Sequence, residues 1–153
     1  MSDSPILDYK GPFNLRVYGI CITNKHVLVC DEIFMGKAMT KFPGGGLEYG
    51  EGTIDCLKRE FKEEFDLEIE VGNHFYTTDY FQKAQYFKKT QLISIYYRIN
   101  ILKPKKIPLS NQPIVADKNS PQNLRFAPLD LINQKDLTFP IDQKVIAMLK
   151  SKA

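Results

Sequence analysis

Apolar and polar positions change their period several times along the chain. Residues 15–33 (LRVYGICITNKHVLVCDEI) form two β-rich runs around a polar Thr23-Asn24-Lys25 turn, which predicts a hairpin. A short extended piece over 39–42 runs into Pro43-Gly44-Gly45-Gly46, and three glycines after a proline predict a sharply turning loop that Gly50 and Gly52 prolong. Over 53–65 the period changes. Ile54, Leu57, Phe61 and Phe65 recur at spacings of three, four and four, which is the repeat of a helix with one packed face.

Residues 67–71 alternate apolar with acidic positions, and 91–102 (QLISIYYRINIL) are rich in β-branched and aromatic residues, so both segments read as strands. The stretch 103–108 (KPKKIP) breaks regularity. Residues 111–123 are polar, contain Pro113 and Pro121, and predict a loop leading into Leu124-Arg125-Phe126. Residues 128–133 and 141–150 read as helical, the second with Pro140 at or just before its start and with Val145, Ile146 and Leu149 facing inward. Strands, a helix, more strands and then helices predict an α+β fold, with helices packed on both sides of a mixed sheet. No repeat, low-complexity segment or second domain interrupts this order, so the whole of 1–153 is expected to be one domain, with 1–13 a loosely ordered N-terminal segment.

Composition narrows the field only slightly. With 153 residues, 43% of them hydrophobic, the chain has material for a core, and 12% aromatic content argues against disorder. A net charge of +3 implies no broad nucleic-acid footprint, and no stable nucleic-acid partner is expected, although a local cationic pocket remains compatible with it. Cys21, Cys30 and Cys56 are odd in number and widely spaced, so they are expected as small core residues rather than as disulfides. His26 and His74 stand far apart, which disfavours zinc. The start MSDSPILDYKG has neither a basic nor an apolar signal region, and no apolar run reaches membrane-span length; a cytoplasmic protein without membrane partners is expected.

The stretch LKREFKEEFDL poses the chemical question. At about 100° per residue, Glu60, Glu63 and Glu64 share one sector of the helix, beside the apolar face. Such acids are most often a solvated surface. Crowding three carboxylates in a concave site, however, costs free energy unless a cation sits among them, and magnesium is a hard ion held by carboxylates together with substrate phosphate oxygens. A glycine-rich loop directly before the helix can bring backbone carbonyls to a metal, or amides to phosphate, without side-chain obstruction.

Gly45, Glu51, Arg59, Glu60, Glu63 and Glu64, with bulky Phe61 and Leu67, match the Nudix box at its spacings. Six fixed letters at set spacings arise by chance in roughly one of 10⁵ to 10⁶ chains this long. The chain therefore resembles the Nudix hydrolase family, and the likeness extends from the strands before the box to the last helix. One position departs: Asp66 stands where the family has a glycine that leaves the helix, often through a left-handed conformation. Aspartate tolerates that conformation, so an adjustment of structure is expected rather than loss of catalysis, with a mildly unfavourable charge at the helix end.

The resemblance implies an α/β/α sandwich and a pyrophosphohydrolase that cleaves a nucleoside diphosphate linked to another moiety by water attack at phosphorus. It implies Mg²⁺, with Mn²⁺ as an alternative, on Glu60, Glu63, Glu64 and the Gly45 carbonyl. Arg59 would orient a glutamate by an ion pair; without the resemblance it is also an ordinary i, i+4 partner of Glu63. Glu51 would support the loop or else merely favour the helix dipole, and Glu48 reads as a solvated loop residue. The general base stays open between a glutamate of the box and Asp117, Asp79 or Asp130. For specificity, 73–90 (NHFYTTDYFQKAQYFKKT) mixes aromatics with lysines, and Tyr80, Lys83 and Lys88 are its candidate substrate contacts, although most of its rings, like Phe126 and Phe139, read as core. The proline that follows the box in many ADP-ribose hydrolases is absent. A non-catalytic Nudix-fold module that senses a nucleotide is the alternative function. A homodimer is compatible with the resemblance, but no residue marks an interface.

Overall fold

In the computed structural model, which describes residues 11–103 and 105–152, the first strand already divides the core in two. Strand β1 (Phe13–Ile20) alternates its side chains across a sheet, sending Val17 to one core and Tyr18 and Ile20 to the other. At Cys21 the chain leaves this sheet. The elements that follow are β2 (Ile22–Thr23), β3 (His26–Phe34), β4 (Lys37–Lys41), β5 (Gly44–Gly46), α1 (Thr53–Phe65), β6 (Ile69–Thr77), β7 (Gln91–Ile101), β8 (Gln122–Pro128) and α2 (Pro140–Ser151), with a 3-10 turn at Gln134–Asp136.

One sheet runs β5-β1-β7-β6 and is mixed. β1 and β7 are parallel, from Phe13 opposite Gln91 to Ile20 opposite Arg98, while the two outer pairs are antiparallel. In the second sheet β3 pairs with β8 over residues 26–32 and with β2 and β4 at its two ends, antiparallel throughout. Helix α1 covers one face of the mixed sheet, packing Cys56, Leu57 and Phe61 on Val17, Ile99 and Leu28. Helix α2 covers the other, packing Ile141, Val145, Ile146 and Leu149 on Tyr18, Tyr96, Val29 and Ala127. Helices on opposite faces of a mixed sheet were expected from the element order; the division of the strands into two sheets was not.

Several boundaries differ from expectation for identifiable reasons. The hairpin over 15–33 exists only at its tip, where Asn24 (φ 49°) and Lys25 (φ 62°) turn β2 into β3; the first run belongs to the other sheet, beside β7. A second tight turn at Met35 (φ 52°) and Gly36 (φ 79°) starts β4 at Lys37, earlier than the piece over 39–42. The glycines after Pro43 are a strand rather than a loop: Val17 lies opposite Gly45, and Gly44, at φ 156°, has the Val17 carbonyl where a side chain would go. The strand expected at 67–71 runs on to Thr77. Residues 128–133 are not helical. Leu129 and Ile132 are buried at a spacing of three, which mimics helix periodicity, but β8 continues through Pro128 and the chain then turns back on the Pro128 carbonyl, which accepts from Leu131 and Ile132.

Within α1 the packed sector is rotated from the predicted one. Cys56 is inside, Ile54 is 43% exposed, and Phe65 is half-buried with its ring edge-on to Phe61 at 5.8 Å. Burying Phe61 contributes about 2 to 3 kcal/mol by transfer alone. Asp66 does take the left-handed conformation, at φ 53°, and its charge is met by Lys62 at 2.9 Å and Lys105 at 3.2 Å, so the anticipated penalty at the helix end is offset. Cys21, Cys30 and Cys56 are buried and unbridged. No helix among the described residues is long and apolar enough to cross a membrane. The first ten residues, most of the segment expected to be loose, lie outside the described residues.

Candidate active site

The loop before α1 is tied to the helix by a single side chain. Helix α1 starts after Gly52 with no side-chain cap, and Arg59, two turns further on, reaches back instead. Its Nε and Nη2 each donate to Glu51 at 2.8 Å, and Nη2 also donates to the Gly46 carbonyl at 3.0 Å. Nη1 faces Glu60 and Glu63, both at 3.2 Å, and Glu48 at 3.5 Å. The Arg59 fork holds the Glu51 carboxyl down at about 2, and Glu51 in turn accepts from the Glu48 amide. Both readings of Arg59 thus describe contacts it makes at once, and Glu51 does more than complement a helix dipole.

Glu60 and Glu64, one turn apart, form an acid pair. Burial first, and then the neighbouring Glu60 carboxyl, push the Glu64 carboxyl up to about 7. The Glu60 carboxylate lies against Gly45 in the space where any larger residue would put its Cβ, which is a local reason for glycine there. Glu63 is 60% exposed and turned to Arg59. As the side chains stand, no group of three or more His, Cys, Asp or Glu side chains among the described residues is gathered closely enough to hold an ion. The donor set still fits a hard divalent cation. Two neighbouring carboxylates repel each other unless a cation sits between them, and the expected donors are carboxylates and a carbonyl, with no nitrogen or sulfur.

A cavity of about 580 Å³ opens between the two sheets and the start of α2; no residue of α1 or of the glycine strand lines it, and Arg16, on its wall, lies beside Gly46. Its walls are apolar and aromatic, with Phe34, Met39, Tyr96 and Phe139 among them, and its charged residues are Arg16, Lys41, Glu32, Lys83 and Asp142. Arg16 donates from Nε to Tyr18 Oη at 2.6 Å and sits 5.6 Å from the centre of that ring; Lys41 Nζ lies 5.9 Å from the same centre and 3.3 Å from Glu32 Oε1. Asp142 accepts from Tyr96 Oη at 2.5 Å and from the Phe42 amide at 3.3 Å, and burial pushes its carboxyl up to about 6.

Of the substrate contacts anticipated from sequence, Lys83 lines the cavity, whereas Tyr80 and Lys88 are not among its lining residues; Tyr80 lies under Lys144 Nζ at 5.0 Å. Phe126 packs in the α1 core, but Phe139, expected as core, lines the cavity. Asp79 accepts from Tyr76 Oη at 2.7 Å, Asp117 closes its own turn by accepting from the Asn119 and Ser120 amides, each at 2.8 Å, and Asp130 is exposed. Arg16, Lys41, Glu32 and Asp142 were missed by the sequence reading. They come from β1, β4, β3 and α2, and only the folded sheets bring them together.

A mixed sheet between two helices, with an acidic helix face against a glycine strand, defines an α/β/α sandwich. The NUDIX domain profile matches residues 13–149, and the chain belongs to the Nudix family of hydrolases. Nudix hydrolases act on nucleotide-type substrates and generally use divalent metal ions. Solved structures share the fold. A NUDIX hydrolase from Nitrosomonas europaea superposes with a TM-score of 0.69 at 18% identity, covering 91% of this chain and 89% of its own. A MutT NUDIX hydrolase from Burkholderia pseudomallei gives 0.64 at 16% identity, covering 88% and 96%. An ADP-ribose pyrophosphatase from Streptococcus suis gives 0.56 at 19% identity, covering 92% of each chain.

Proposed function

We propose that this chain hydrolyses a nucleoside diphosphate linked to another moiety, a nucleoside triphosphate or a nucleotide sugar, by attack of water at one phosphorus of the pyrophosphate. The observation that carries the reading is that one glycine strand joins the acidic helix face to the cavity: the Glu60 carboxylate lies against Gly45, and Arg16, which lines the cavity, lies beside Gly46, with Glu60 and Glu64 both acting on its guanidinium after the larger effect of Tyr18. Glu60, Glu63, Glu64 and the Gly45 carbonyl would hold Mg²⁺ or Mn²⁺. When bound, such an ion neutralises pyrophosphate charge and acidifies a coordinated water.

The protein's own groups have separable tasks. Arg59 and Glu51 fix the glycine segment against the helix, which keeps Glu60 at Gly45. Glu64, whose carboxyl is raised mainly by burial, must be ionised to present anionic oxygens beside Glu60. Glu63 has only to leave Arg59, an exposed contact of small strength, to join them. The aromatic cavity excludes water around the moiety attached to the phosphates and fits a planar ring by stacking.

The test is a panel of nucleoside triphosphates, dinucleoside polyphosphates and nucleotide sugars, assayed with Mg²⁺ or Mn²⁺ for phosphate, pyrophosphate and nucleotide release. At least one class is expected to turn over, and Glu64→Gln or Glu63→Gln to lower kcat by about 10² to 10³, with the melting temperature held within a few degrees. Full turnover by both variants would remove the site from consideration. Thermal stabilisation by a nucleotide with no product from any member of the panel would favour the sensing module.

A further inference from the structure

We infer that Arg16 and Lys41 form a phosphate-binding neck between the acidic helix face and the aromatic cavity, one that grips an anion without any metal. The inference deepens the proposed function, and rests on it for taking the anion to be a phosphoryl group of the substrate.

Both cations have unspent donors. Lys41 is only 12% exposed in its side chain, yet no hydrogen bond among the described residues engages its ammonium; its ion-pair contact is Glu32 Oε1 at 3.3 Å, an oxygen itself without a hydrogen-bond partner. Arg16 spends Nε on Tyr18, and no hydrogen bond among the described residues takes Nη1 or Nη2. A cation sheltered from water with free N–H groups is expensive to maintain unless something anionic completes it.

Position then says where that anion goes. Arg16 lies opposite Gly46 in the sheet, and a Cβ on Gly46 would stand 3.6 Å from Arg16 Nη1, so the guanidinium reaches the same glycine strand that touches Glu60 and Arg59. Lys41 flanks the same Tyr18 ring, and both residues line the cavity. The neck therefore sits where a diphosphate leaves the acidic face and enters the cavity. Charge nearby is mixed: Glu32 partly offsets Lys41, and Glu60, Glu64 and Asp142 face the same cations. An arriving phosphate must compete with these acids, so binding is expected to be salt-sensitive and of modest strength. Arg16 offers a planar pair of donors and Lys41 a point charge, which suits two oxygens of one phosphoryl group or one oxygen from each of two.

The test is calorimetric titration of the full chain with inorganic pyrophosphate and with guanosine and adenosine 5′-monophosphates, in excess EDTA. Saturable binding of pyrophosphate or a monophosphate by the unaltered protein is expected, weakening tenfold or more in Lys41→Met and Arg16→Met, and restored to within about threefold by Lys41→Arg. Lys37→Met, an exposed lysine at the start of the same strand, is expected to bind like the unaltered protein. Should the methionine variants lose their fold, the unaltered protein still decides the matter: adding pyrophosphate must move the Arg16 Nε–H resonance in a nitrogen-15 spectrum. No metal-free binding by the unaltered protein, full binding by both methionine variants, or an unmoved Arg16 resonance would each overturn the neck. Metal-dependent hydrolysis without metal-free anion binding would overturn the neck alone, whereas anion binding with no hydrolysis of any substrate would uphold it and count against the proposed reaction.

Discussion

Two arginines in this fold each grip a carboxylate with two nitrogens, and the two forks end differently. Arg125 donates to Asp31 from Nε at 2.7 Å and Nη2 at 3.2 Å, with side chains 2% and 4% exposed. Everything around that pair is matched: Thr40 Oγ1 and the Ile114 amide donate to Asp31, and the Ser110 carbonyl accepts from Arg125. Arg59 makes an equally short fork to Glu51 but turns its remaining nitrogen on three further acids, in water's reach. A satisfied buried fork locks chain segments together; a fork left with excess partners is one that can release a carboxylate when something better arrives.

Breaking the rear lock should produce the largest change in stability. Asp31→Ala leaves Arg125 buried without a counter-charge and is expected to cost about 3 to 5 kcal/mol, read from the urea unfolding midpoint, while whatever fraction stays folded turns over normally. If Asp31→Ala lowered kcat per folded molecule, the two forks would not be separable as drawn. The front fork should show the reverse. Arg59→Lys keeps the charge but cannot reach Glu51 and Gly46 together, so kcat is expected to fall about tenfold with the melting temperature within a few degrees. An unchanged kcat would make Arg59 a mere surface partner.

Asp142 sharpens the contrast because it is buried like Asp31 yet paired with neutral donors, Tyr96 Oη and the Phe42 amide. Its carboxyl is raised to about 6 from an ordinary value of about 3.9, so its stabilising contribution is complete below about pH 4 and is lost as pH rises through about 6. Asp142→Asn should flatten that part of the stability profile, measured as the urea midpoint between pH 4 and 7; an unaltered slope would assign it elsewhere, with Glu64 the first alternative. The smallest effect belongs to Asp66→Gly. It relieves a left-handed aspartate and removes two exposed ion pairs, opposing changes expected to leave the melting temperature within about 2 °C.

The difference between the forks also explains what could be read from the sequence. Glu51, Arg59, Glu60, Glu63 and Glu64 lie within two turns of helix and its leading loop, so spacing alone groups them. Arg125 and Asp31 are joined only by the antiparallel pairing of β3 with β8, and Arg16, Lys41 and Asp142 only where β1 of the first sheet, β4 of the second and the start of α2 line one cavity. Singly, each looks like an ordinary polar residue near a strand or helix end. Periodicity located α1 and its inward Leu57 and Phe61 but misplaced Ile54, which is exposed in the first turn, while Cys56, expected as a core residue from its type, holds the inner position. At 128–133 the same logic failed in the other direction: two inward residues three apart describe a turn as well as a helix.

The ring cluster at the cavity has a practical sequel. The protein contains no tryptophan, and Tyr18 and Tyr76 stand 5.3 and 6.4 Å from Tyr96, whose hydroxyl is held by Asp142. Ultraviolet emission from the folded chain therefore comes from phenols alone, with no indole to absorb the excitation, and three of them share one corner. Any occupant that stacks on Tyr96 or draws Arg16 away from Tyr18 will change that light, so the molecule carries its own optical gauge of whether the corner is filled.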